Sequence, residues 1–157
     1  MPGKHGPNPR FGNYLAVHDK WMAGFLDDGF VVEDRCDFTF LPSTILLQGT
    51  ILCLDALTVE VEKEIAILSG TKMNARVQTR SFRYHAWVRG AHNILRYESA
   101  HDHRPHVHKH VYNTFGDGRE LSVLDLVDEE EIPTLGEVIR ELQLWHQQHA
   151  ARLRQLR

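Results

Sequence analysis

The 157-residue chain predicts an α+β fold: an antiparallel meander sheet of about five strands, flanked by an N-terminal and a C-terminal helix. Three observations carry this expectation. Leu57, Val59, Val61, Ile65 and Ile67 alternate with Thr58, Glu60, Glu62, Glu64 and Ala66, the period of two of a half-buried strand. Apolar residues recur at helical spacing near each end, as Leu15, Trp21, Met22, Phe25 and Leu26 and as Val138, Ile139, Leu142, Trp145, Leu153 and Leu156. Between them, strand-like runs are separated by short turns, the arrangement in which sequence neighbours pair.

The elements follow in order. Residues 1–12 open with three prolines and two glycines in the first nine positions and read as a mobile arm. Asn13 can cap a helix over 13–28, which Asp27-Asp28-Gly29 stops. His18 sits on its apolar stripe and reads as a core-edge histidine. Residues 30–41 mix acids with short apolar runs and read as irregular or a short strand. Residues 43–54 are almost wholly apolar or Thr, as in a central strand. Asp55-Ala56 makes a tight hairpin connection to the alternating strand.

After Ser69-Gly70-Thr71, residues 75–88 form a long strand whose apolar phase shifts from Val77 to Phe82, Tyr84, Ala86 and Val88. A bulge near Arg80-Ser81 reconciles the two halves. A short strand over 94–97, a loop over 100–105 and a strand over 106–115 complete the sheet, which spans 43–118 and ends at Gly116-Asp117-Gly118. Thr134 and Glu137 form a capping box that starts a helix over 134–156. A single domain over 1–157 results.

Composition narrows the function classes. Two cysteines, Cys36 and Cys53, make neither a disulfide framework nor a metal-type spacing, which fits a reducing, cytoplasmic setting. No apolar run approaches the ~18 residues of a membrane helix. The net charge of −3 conceals nine Lys and Arg against three carboxylates over 69–119, an excess that predicts a face suited to an anion such as a phosphate backbone.

Chemistry concentrates in residues 84–110. Seven of 11 histidines lie between His85 and His110. His106, His108 and His110 alternate with Val107 and Lys109, so a strand puts the three imidazoles on one face. Histidine titrates near neutrality, at roughly pH 6.5, and can move a proton or hold a metal.

Tyr84-His85 late in a long strand, then Ile94-Leu95-Arg96-Tyr97, then a histidine–proline segment closing in His108-Lys109-His110, a glycine turn and a Pro133-Thr134 helix start stand in this order. In these features the chain resembles the TumE-like toxins of bacterial type II toxin–antitoxin modules, over roughly residues 44–142. Glu98-Ser99 stands where that family tends to have Asp-Asn, and the N-terminal helix is an addition. The resemblance implies a toxin acting on RNA, neutralised by a cognate antitoxin that carries a DNA-binding domain.

Metal-independent RNA cleavage needs a base, an acid and a cation for the phosphorane charge. The residues expected to supply them are His85, His108, His110 and Arg96. Tyr84, Tyr97, Arg83 and Lys109 are the candidates for RNA contact, the tyrosines by stacking a base. Lys109 is the less favoured cation because period two turns it from the histidine face.

Two alternatives stay open. His106, His108 and His110 can ligate a divalent metal such as zinc, giving a metal-dependent hydrolase or a structural site. The basic sheet can instead bind RNA or a protein without turnover. A homo-oligomer is compatible with all three readings. His146 and His149, three residues apart on the last helix, read as surface and stripe positions.

Overall fold

The Asp55-Ala56 turn anchors the sheet. Its residues take φ of 55° and 64°, the left-handed pair that lets a tight hairpin follow the twist of its strands. In this computed structural model, which describes residues 8–99, 107–126 and 131–156, the turn joins β3 (Thr44–Cys53) to β4 (Leu57–Ser69). Helix α1 (Phe11–Asp27), β1 (Val31–Asp34) and β2 (Asp37–Phe40) precede them. Then come β5 (Arg76–Val88), β6 (Asn93–Ser99), β7 (Val107–Tyr112), β8 (Glu120–Leu126) and α2 (Leu135–Gln155).

All pairings are antiparallel, in the order β1-β3-β4-β5-β6-β7-β8 with β2 also on β3. The α+β class is as expected, but the strands number eight and not about five. The additional ones lie at the two sides of the sheet, where burial imprints no clear alternation. β1 and β2 run along successive halves of β3, beside Ile51–Cys53 and Ile45–Gln48. They form one edge interrupted at Arg35-Cys36. There the chain passes over Gly49, where a Cβ would meet the Arg35 carbonyl oxygen at 2.4 Å. β8 forms the other edge and is exposed along most of its length. The bulge in β5 occurs where expected: Glu64 pairs with Ser81 and Ile65 with Thr79, leaving Arg80 over.

Both helices cover the same face. Trp21, Met22 and Phe25 of α1 and Val138, Ile139 and Leu142 of α2 share one core with Leu47, Ile51, Val59, Val61, Tyr84, Ala86, Leu95 and Tyr97. The capping box holds: Glu137 N donates to Thr134 Oγ1 at 3.2 Å, and Thr134 N donates to Glu137 Oε1 at 3.0 Å. Asn13 does not cap α1. That helix starts at Phe11, with Arg10 at the cap position and no side-chain cap bond.

The end of the expected arm is fixed. Phe11 N donates to Ala75 O at 2.8 Å, and Val77 N donates to Pro9 O at 2.9 Å. Phe11 itself is fully buried beside Tyr14, Ile45, Ile65 and Val77. Among the described residues no helix is long and apolar enough to cross a membrane.

Candidate active site on the open sheet face

The meander stacks polar residues in rows across the face opposite the helices. One row reads Glu60, His85, Arg96, His110 and Val123 from β4 to β8, and the next reads Glu62, Arg83, Glu98, His108 and Asp125. His85, Arg96, His108 and His110 therefore share one face, on three neighbouring strands. This follows from register and period two alone. His106 lies outside the described residues.

The three imidazoles have different partners. Asn93 Oδ1 accepts from His85 Nε2 at 2.8 Å, which leaves Nδ1 of the neutral ring as an acceptor. Burial lowers the His85 pKa below its ordinary value, with the Asn93 bond opposing and Arg96 reinforcing. His108 Nδ1 donates to Asp125 Oδ1 at 2.5 Å, so a carboxylate orients the ring and Nε2 stays open. His110 has carboxylates at both nitrogens, Glu98 Oε1 at 2.9 Å from Nε2 and Glu120 against Nδ1. No ring nitrogen of His110 is left for a substrate. The two rings on β7 have centroids 6.4 Å apart.

The two arginines of this face are neutralised locally. Arg83 lies 3.4 Å from Glu60 and 3.1 Å from Glu62, and Arg96 Nε lies 3.3 Å from Glu98 Oε2. Carboxylates on β4 thus answer Arg83, and Glu98 answers Arg96 from within β6. Counting net charge over 69–119 cannot detect the Arg83 pairs, because Glu60 and Glu62 lie outside that stretch. The Nε atoms of Arg83 and Arg96 are nevertheless buried without a hydrogen bond.

Three residues expected to contact RNA point the other way. Tyr84 is 1% exposed, stacked on Phe82 in the core, and has no free ring face for a base. Tyr97 is buried beneath α2, and its hydroxyl donates to Glu141 Oε1 at 2.5 Å. Lys109 Nζ donates to Glu141 Oε2 at 2.5 Å and lies 5.3 Å from the Tyr97 ring centroid. Tyr97, Lys109 and Glu141 form a clasp between sheet and helix. Arg83 alone of the four contact candidates is on the open face.

Among the described residues, no group of three or more His, Cys, Asp or Glu is arranged to hold a metal ion. Cys53 is buried and Cys36 partly buried, both as free thiols, and burial raises both pKa values.

His146 is not a surface residue. Its Nε2 donates to Asp55 Oδ2 at 2.7 Å, with both side chains largely buried, which ties α2 to the β3–β4 turn. Sequence spacing gives no signal for that pair, nor for Asp125, Glu120 and Glu98 as histidine partners. The period-two phase of each strand could have nominated them only once the pairing register was known.

No protein-family model, curated protein or solved structure matches the chain.

Proposed function

We propose that the protein is a toxin-like, metal-independent endoribonuclease whose reaction takes place on the open sheet face. The observation that supports this reading is the co-facial set of a neutral His85, an aspartate-oriented His108 and an arginine on the strand between them. His85 Nδ1 takes the proton of a ribose 2′-hydroxyl as its oxygen attacks the adjacent phosphorus. The bond from phosphorus to the 5′-oxygen breaks, and protonated His108 gives its Nε2 proton to that leaving oxygen. The products are a 2′,3′-cyclic phosphate and a 5′-hydroxyl end. Arg96 stabilises the added charge on the phosphorane.

His85 and His108 are two strands and one row apart, about 12 Å between their backbones. The substrate phosphate would sit between the two rings with a hydrogen bond of about 2.8 Å on each side. His110 acts as a positioning residue, binding Glu98 at 2.9 Å where that carboxylate also meets Arg96. The partner proposed with this activity is an antitoxin carrying a DNA-binding domain, whose resemblance-based expectation stands on residues 84–118.

The test is cleavage of single-stranded RNA by purified protein in EDTA. His85→Ala and the double variant His108→Ala/His110→Ala should each lower the rate by about 10²–10⁴-fold with unchanged thermal unfolding. Cleavage that persists in folded variants, or that EDTA abolishes, overturns the reading. EDTA-sensitive cleavage would favour a metal-dependent hydrolase built from the same histidines.

A further inference from the structure

A recess of about 390 Å³ lies where the β7–β8 turn meets the C-terminal half of α2. Phe115, Trp145 and His149 form its ring platform. The Phe115 and Trp145 rings are 3° from parallel with centroids 5.6 Å apart, and His149 stacks on Trp145 at 4.5 Å. The Arg152 guanidinium lies 4.3 Å from the Phe115 ring centroid. Leu121 gives an apolar wall and Asn113 a polar rim.

His149 and Arg152 have no carboxylate partner among the described residues. His149 Nδ1 donates to the Trp145 carbonyl at 2.7 Å, which leaves Nε2 open. Arg152 has no carboxylate partner among the described residues, in contrast to Arg35, Arg83, Arg96 and Arg119, each of which has one. A stacked aromatic cluster beside an unneutralised guanidinium and an imidazole is complementary to a planar ring that carries an anion. Tyr112, which lines the same recess, is the next residue but one after His110 on β7, and Arg96 lies near enough to act on its hydroxyl. The recess therefore borders the open face.

We propose that this recess is a nucleotide subsite that stacks one base against the Phe115–Trp145–His149 platform and places its phosphate on Arg152. It names where the substrate strand is held outside the reacting phosphate, and in that respect it rests on the ribonuclease reading. Base stacking on aromatic side chains is sequence-tolerant, so the subsite discriminates by phosphate and ring and not by base identity.

Binding of adenosine 5′-monophosphate to the full chain tests it, followed through the Trp145 indole N–H resonance and by calorimetry. A saturable shift at millimolar nucleotide or below is expected, weakened about tenfold by Arg152→Ala and by Phe115→Leu. Adenosine and inorganic phosphate should each bind more weakly than the nucleotide. The His85→Ala protein should bind the nucleotide as the native chain does, so loss of cleavage and loss of the subsite are read separately. No saturable shift, an Arg152→Ala protein with native affinity, or phosphate alone binding as tightly as the nucleotide overturns the proposal. Thermal unfolding of both variants near the native temperature assigns their losses to the site.

Discussion

The Lys63 ammonium lies 4.7 Å from the centroid of the Tyr14 ring, beneath α1, on a side chain whose residue is only 8% exposed. No carboxylate pairs with it among the described residues. Its position in the alternating strand is a core position, between Val61 and Ile65 on the face that packs against the helices. Burial pushes its pKa down from 10.5 to about 7.

That depression fixes a pH dependence. The unfolded chain holds the Lys63 proton up to about pH 10.5 and the folded chain releases it near 7. Between these values the unfolded state binds more protons, so stability rises with pH. The whole penalty is present below the folded value. Lys63→Met, close in volume and without charge, is expected to stabilise the fold at pH 7 by about 1–3 kcal/mol. It should also remove most of the rise between pH 7 and 10. Urea unfolding at both pH values checks this; a variant that keeps the native slope refutes it.

Gly49 and Gly24 predict opposite outcomes for the same substitution. Gly49 has a φ of 147°, and an added Cβ would lie 2.4 Å from the Arg35 oxygen and 2.6 Å from Cys36 Cα. Gly49→Ala must separate β3 from the β1–β2 junction, at a cost of about 3 kcal/mol or more. Gly24 is exposed inside α1 with nothing within 4 Å of such a Cβ. Gly24→Ala should stabilise by about 0.5–1 kcal/mol. Chemical denaturation of the two variants measures both.

The same contrast explains how far the sequence is readable. β4, the capping box and the β5 bulge are legible because one face is buried and burial imprints a period. β1, β2 and β8 are edges with little one-sided burial, so Glu33, Asp34, Leu121 and Val123 carry no clean alternation. The open-face histidines were legible from spacing. Their carboxylates were not, since Glu98 reaches His110 across a strand pair and Asp125 reaches His108 from β8. Tyr84 and Tyr97 are hidden for the same reason: both fall on the buried phase, Tyr84 stacked on Phe82 in the core and Tyr97 under α2.

Glu141 should matter to stability and not to RNA chemistry. It accepts from the Tyr97 hydroxyl and from Lys109, and removing it leaves both donors beneath α2 without their acceptor. Glu141→Ala is expected to cost about 1–3 kcal/mol. A double-mutant cycle with Lys109→Met should show coupling, because the two groups share one contact. RNA cleavage per folded molecule should stay at the native rate in Lys109→Met. A loss comparable to that of His85→Ala would instead put Lys109 at the substrate.

His85 provides the most direct check on the open face. Burial lowers its pKa, the Asn93 bond works against that shift, and the Arg96 charge works with it. Its ring resonances should titrate below pH 6.5. Asn93→Ala should move the midpoint further down and Arg96→Gln should move it up. Because the folded pKa is the lower one, the unfolded chain takes up this proton first as pH falls. His85 therefore withdraws stability as pH drops from about 6.5 through its folded midpoint. At neutral pH the ring is uncharged, with Nδ1 open to accept a proton. A His85 midpoint above 6.5 by NMR would remove the base from the proposed reaction while leaving the sheet register untouched.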